Sequence, residues 1–124
     1  MSPRPFEAST AELEGGLRVV SVRGELDLGT APDLEGPLEE AVGSEEPLLI
    51  DLSECEFIDS TGIAMIVRAW QRLANGDAAS EQVVICSGSE QVRRMLGVTG
   101  LEVSIPVHES REAALETLRS SSQS

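Results

Sequence analysis

The sequence predicts one α/β domain built on a mixed, mostly parallel sheet, with an antiparallel hairpin at the N-terminal side and about four helices. Three observations carry this expectation. The chain has 124 residues, 40% of them hydrophobic, and a single core serves roughly 100–150 residues. From residue 30 onward helical and strand-like patterns alternate, which implies right-handed crossovers and parallel strands. Ahead of residue 30, two β-rich runs flank Glu14-Gly15-Gly16, the signature of a hairpin. No internal repeat is present.

Residues 1–5 read as a loose start, 6–119 as the domain and 120–124 as a disordered tail. Phe6 to Thr10 is expected as a short edge strand and Leu17 to Arg23 as its partner. Gly24-Glu25-Leu26-Asp27 is expected to lead out of the sheet. Thr30 and Asp33 have capping-box-like spacing before a helix over about 31–42. Gly36-Pro37 falls inside that helix. An interior proline loses a hydrogen bond and clashes with the preceding turn, so a kink or break is expected there. Gly43 is the expected C-terminal cap.

Pro47 to Leu52 is almost continuously apolar, as in a strand covered on both faces. Ser53 to Asp59 reads as a loop with Phe57 and Ile58 turned inward. A second helix is expected over about 60–75, with its apolar stripe on Ile63, Ile66, Val67, Trp70, Leu73 and Ala74. Asn75-Gly76 would end it. Glu81 to Cys86 reads as a buried strand. Ser87 and Glu90 have capping-box spacing before a third helix that runs to about Leu96 and stops at Gly97. Leu101, Val103 and Ile105 alternate as in a half-buried strand. A last amphipathic helix is expected over 109–119, on Ala113, Ala114, Leu115 and Leu118.

Charge and composition exclude several functions. There are 22 acidic residues against 9 arginines and no lysine, for a net charge of −13. A phosphate backbone would be repelled, and with two Phe, one Trp and no Tyr there are few platforms for base stacking, so no nucleic-acid partner is expected. Without lysine, Schiff-base chemistry and a P-loop are out. The longest near-apolar run, Gly62 to Val67, is far short of the roughly 20 residues that span a bilayer, and no membrane partner is expected. No signal peptide is visible, and the chain is read as cytoplasmic with reduced thiols. Cys55 and Cys86 form no CxxC pair and there is one His, so no metal or other cofactor is expected. The acidic residues crowd the first half: residues 1–62 hold 15 of them against three arginines. That half suits a basic partner or simply a solvated surface.

The segment that carries chemistry is Leu48 to Ile63. A buried strand leads to Asp59-Ser60-Thr61-Gly62, which opens a helix. Unpaired backbone N–H groups gather at a helix start, with the positive end of the dipole, so a phosphate on Ser60 would meet favourable partners. Gly62 would leave room for a large group. Equally, Asp59 and Ser60 are preferred capping residues in their own right.

This stretch resembles the signature of the STAS family, and most closely the stand-alone anti-sigma factor antagonists of bacteria. Asp51, Phe57, Ile58, Asp59, Ser60, Thr61 and Gly62 fit its pattern of an apolar strand ending in Asp, an apolar pair, and Asp-Ser-Ser/Thr-Gly before a helix. Gly24-Glu25-Leu26-Asp27 with Thr30-Ala31, and Met95 to Leu101, resemble two further family segments. The likeness covers about residues 5–118. It implies a STAS-like fold and a non-enzymatic binding module. Such a module binds an anti-sigma factor that is also a GHKL-type serine kinase and so frees the sigma factor. The kinase then phosphorylates the first Ser of the motif, here Ser60, and the complex dissociates. A PPM-type phosphatase restores it. Thr61 is the alternative acceptor, and Asp27, Asp59 and Gly62 would support the acceptor loop. Another STAS assembly, a stress-signalling scaffold or the soluble subunit of a lipid-transport ABC system, is the alternative reading.

Other residues compete less well. A Ser60–His108 nucleophile pair lacks the GxSxG elbow. Asp27, Asp51 and Asp59 could gather at one end of the sheet as in a Mg²⁺-dependent receiver, but receivers also need a lysine. On the second helix Met65, Arg68 and Arg72 fall opposite the expected apolar stripe. An exposed Met beside an Arg pair, on the helix that begins with the acceptor, is a candidate docking face.

Overall fold

The computed structural model describes residues 6–44, 46–74, 83–101 and 105–122. Five strands form one sheet in the order β1-β2-β3-β4-β5. The strands are β1 (Glu7–Leu13), β2 (Leu17–Leu26), β3 (Leu48–Ile58), β4 (Val83–Cys86) and β5 (Val107–His108). β1 is antiparallel to β2, and all other pairs are parallel. The helices are α1 (Ala31–Gly43), α2 (Ser60–Ala74), α3 (Glu90–Val98) and α4 (Arg111–Ser122). α1, α2 and α3 cover one sheet face with the larger core, around Leu26, Leu34, Ile50, Ile66 and Leu96. α4 covers the other with Ala114 and Leu118, over Leu17, Val19, Leu49 and Val84. The expected fold class is found. No helix among the described residues is long and apolar enough to cross a membrane.

The sheet is longer at its centre than the sequence pattern suggests. Gly24-Glu25-Leu26 stays in β2, and Ser53 to Ile58 continues β3 in place of the expected loop. The two stretches pair with each other: Arg23 with Glu54, Gly24 with Cys55, Glu25 with Phe57, and Leu26 with Ile58. Between Ser21 and Arg23, and again between Gly24 and Glu25, β3 advances one residue more than β2. These two bulges break the period-2 alternation that would have marked a strand. Gly24 has φ +91 at the second shift, a conformation that a Cβ disfavours.

The helices also depart from expectation. α1 runs unbroken through Pro37. Only the Asp33 carbonyl loses its donor, on the exposed side, and Gly36 lacks the Cβ that would crowd the proline ring. Thr30 precedes α1 but makes no side-chain cap bond, so no capping box forms, and the C-cap is Ser44, not Gly43. In α3 the cap is Ser89, whose Oγ accepts from Val92 N, while Ser87 Oγ accepts from Ser89 N. α3 passes through Gly97 to Val98. The last strand is Val107–His108. Leu101 and Ile105 are buried outside any strand, and Val103 lies outside the described residues, as do residues 1–5, Asn75-Gly76 and Glu81. α4 extends to Ser122, into the segment expected to be disordered.

One row of polar side chains crosses the α4-facing side of the sheet. Ser9, Ser21, Asp51, Cys86 and His108 are successive register partners on β1 to β5. Asp51 is buried. Its Oδ1 accepts from Ser53 N at 2.9 Å and Cys86 Sγ at 3.2 Å, and its Oδ2 meets Arg111 of α4 at 3.4 Å. His108 Nε2 lies 3.0 Å from Thr117 Oγ1 of α4. Both cysteines are free and buried.

This packing can be tested at two positions. Gly62 of α2 is buried, and a Cβ on it would stand 2.7 Å from Leu26 Cγ and 3.0 Å from Ile58 Cγ1. Gly62→Ala should therefore destabilise the protein by about 1–3 kcal/mol in urea unfolding, the usual cost of overpacking; an unchanged midpoint would show that α2 shifts freely on the sheet. Burial and the Asp51 carboxylate push the Cys86 thiol up to about 12, from an ordinary 9.0. The reactive thiolate is then scarce at pH 8, and a disulfide reagent should modify native Cys86 at least about a hundredfold slower than the urea-unfolded chain. Comparable rates in the two states would contradict this.

Candidate functional site

The site lies where β2 and β3 both end. β2 runs out at Leu26 and turns into α1, and β3 runs out at Ile58 and turns into α2. The turns are tied together: Asp59 N donates to Leu26 O at 3.1 Å. Gly62 then sits directly against the Leu26 side chain. These contacts fix the start of α2 relative to the Asp27–Thr30 turn.

Asp59 is the residue that caps α2. Its Oδ1 accepts from Thr61 N at 2.9 Å and Gly62 N at 3.2 Å, and its carbonyl accepts from Ile63 N at 3.1 Å. Two of the donors expected to receive a phosphate are thus already engaged by a carboxylate. Ser60 is released from capping. It is exposed, and its Oγ makes no hydrogen bond among the described residues. Thr61 beside it is half-buried. A charge added at Ser60 would feel the helix dipole favourably and Asp59 unfavourably, and would point to solvent or to a partner.

Asp27 has the matching role in the neighbouring turn. Its Oδ1 accepts from Gly29 N at 3.0 Å and Thr30 N at 3.1 Å. Thr30 Oγ1 turns back to Glu25 O at 2.8 Å. Asp27 therefore braces its own turn, and that turn reaches the acceptor through Leu26. Gly62 faces inward to Leu26 and Ile58, so the room it leaves is taken by core and not by an approaching group. Asp51 lies apart, on the α4 side of the sheet. Among the described residues no group of three or more His, Cys, Asp or Glu is placed to hold a metal.

The docking face on α2 needs correction. Met65 is buried at 8% exposure. It sits in the seam between α1 and α2, in a groove of about 290 Å³ with Leu38, Val42 and Ala69, rimmed by Glu35, Glu39, Arg68 and Arg72. The buried face of α2 is centred on Gly62, Ile66 and Ala69, while Val67 and Trp70 of the expected stripe are half-buried. Leu73 and Ala74 are helical, but their side chains lie outside the described residues. Arg72 pairs with Glu39 of α1 at 3.1 Å. Arg68 is exposed with no ion pair among the described residues. Sequence reasoning misses Leu28, which is 74% exposed in the turn beside the site. Its only sequence signal is a large apolar residue between Asp27 and Gly29.

Comparison with known proteins bears on the whole chain. Residues 8–114 match the STAS domain family. An anti-sigma F factor antagonist of Paenibacillus polymyxa is 25% identical over 105 residues, covering 83% of this chain and 87% of that protein. An anti-sigma-B factor antagonist of Staphylococcus aureus is 30% identical over 94 residues, covering 75% and 84%. The crystal structure of an anti-sigma factor antagonist from Mycobacterium paratuberculosis superposes with a TM-score of 0.85 at 30% identity, covering 95% of this chain and 97% of that one. The family match spans most of the chain, and the chain belongs to the STAS domain family.

Proposed function

We propose that the protein is an anti-sigma factor antagonist that binds an anti-sigma serine kinase when unmodified and releases it when Ser60 is phosphorylated. The names of its relatives support the antagonist role. The phospho-switch rests on a single observation: Asp59 does the capping, so the exposed Ser60 hydroxyl is left without a structural duty. Half-buried Thr61 is less accessible.

The partner is a GHKL-type kinase holding ATP and Mg²⁺. Ser60 Oγ attacks the γ-phosphorus, the bond from that phosphorus to the ADP oxygen breaks, and the hydroxyl proton passes to a base on the kinase. This chain contributes an accessible nucleophile on a fixed helix start, and Gly62 and Asp59 hold that start in place. The unmodified surface docks with Ser60 close to the nucleotide; exposed Arg68 lies about two turns further along α2, and Arg72, paired with Glu39 of α1, lies in its last turn. The product carries about −1.5 to −2 charge. It stands beside Asp59 and, in the complex, close to the phosphates of ADP. A buried, unpaired charge and like-charge contact each cost several kcal/mol, so the complex separates. A PPM-type phosphatase reverses the modification. In this reading the chain is a substrate and a binder, and works in the cytoplasm.

Incubation with the cognate kinase and ATP should place the label on Ser60, mapped by phosphopeptide mass spectrometry; label confined to Ser9, Ser110 or Ser120–Ser124 would sink the assignment. Phosphorylation should leave circular dichroism and the melting temperature nearly unchanged, because no structural hydrogen bond of Ser60 is lost. Ser60→Ala should bind the kinase about as tightly as wild type and resist phosphorylation. Ser60→Asp should bind more weakly, by roughly a hundredfold if about 3 kcal/mol is lost, measured by calorimetry with nucleotide present. Wild-type affinity for Ser60→Asp would move the switch elsewhere.

A further inference from the structure

We propose that Leu28 is the apolar anchor of the docking surface, and that the partner receives it in an apolar socket ringed by basic side chains. The inference rests on the function proposed above and names the surface that makes it specific. Leu28 is 74% exposed, and Val98 is the only other large hydrophobic residue so exposed among the described residues. An exposed leucine contributes little to folding.

Three features suit it to binding. First, its backbone is pre-set. The Asp27 carboxylate holds Gly29 N and Thr30 N, and Thr30 Oγ1 holds Glu25 O, so the turn loses little freedom on docking. Second, its place relative to Ser60 is fixed through the Asp59 N to Leu26 O bond and the packing of Gly62 on Leu26. A side chain seated in the kinase through Leu28 would present Ser60 in one position. Third, the strand ends and helix starts around it carry Glu25, Asp27, Asp33, Glu56 and Asp59, none in an ion pair among the described residues. The described arginines, by contrast, are engaged, with the exception of Arg68. An apolar centre inside an acidic rim matches an apolar socket inside a basic one. The same rim argues against a second copy of this chain as the occupant, since like charges would meet.

The test uses the full-length chain and the purified serine-kinase anti-sigma factors of its source organism, with ADP for binding and ATP for turnover. Leu28→Ala should weaken binding by about tenfold or more, the scale of one buried leucine. Leu28→Met should stay within about threefold of wild type, and Leu28→Arg should bind at least as poorly as Ala. In turnover Leu28→Ala should raise KM for this chain with kcat retained. Wild-type affinity should fall with added salt, with a similar slope in Leu28→Ala, because the rim is untouched. Melting temperatures should match wild type, which separates lost contact from lost fold. If wild type binds and Leu28→Ala binds within about twofold of it, the anchor is refuted while the proposed function stands. If wild type neither binds nor is phosphorylated by any of these kinases, the function fails and the anchor with it. Dimerisation of the chain alone that vanishes in Leu28→Ala would also overturn the proposal, by assigning Leu28 to self-association.

Discussion

The fold depends on the parallel pairing of β2 and β3 being carried to its far end. Were the two strands to part at Ser21 and Asp51, Leu26 and Ile58 would have no common level. The two turns that leave the sheet would then be independent loops. Because the pairing persists through two bulges, the turns emerge side by side, and a backbone hydrogen bond from Asp59 to Leu26 locks them. Gly62 completes the arrangement by letting α2 descend onto Leu26 without a Cβ between them. The position of Ser60 is therefore a property of the central strands rather than of a loop.

The architecture and the motif are legible in the sequence, and the local geometry is less so. The hairpin and the strand–helix alternation can be read from residue types alone, because apolar runs and glycine turns report burial and chain reversal directly. The motif Asp59 to Gly62 is readable as a helix start. What the pattern hides has physical causes. The second half of β3 reads as a loop because each bulge puts two residues against one and scrambles the alternation. A single apolar stripe puts Met65 on the outer face, but α2 is buried along a broader arc, with α1 closing over its side. The usual cost of an interior proline overstates the effect of Pro37, since a glycine ahead of it and solvent around the freed carbonyl remove most of that cost. Leu28 escapes notice because exposure of a single leucine has no periodic signature.

The division of labour between Asp59 and Ser60 decides what the site can do. Both residue types cap helices, and from the sequence alone either could take the role. In the structure the carboxylate takes it, two hydrogen bonds deep, and the hydroxyl is left outward. A modification at Ser60 therefore removes no bond that the fold relies on. The same arrangement leaves the new charge with a carboxylate as its nearest ionic neighbour, so its effect falls mainly on whatever is docked there.

The polar row across the other face sets the position of α4. The apolar contacts of that helix, chiefly Ala114 and Leu118, are small and smooth. Contacts of that kind hold a helix down without choosing where along the sheet it lies. Asp51 supplies the choice. It is a buried carboxylate whose only cationic partner among the described residues is Arg111, in the first turn of α4. His108 meeting Thr117 gives a second point two turns further along. Sliding the helix by one turn, about 5.4 Å, would keep much of the apolar contact and still strand a carboxylate without its counter-ion. The pair then contributes little net stability and acts as an index mark, so the helix has one allowed seat on the sheet.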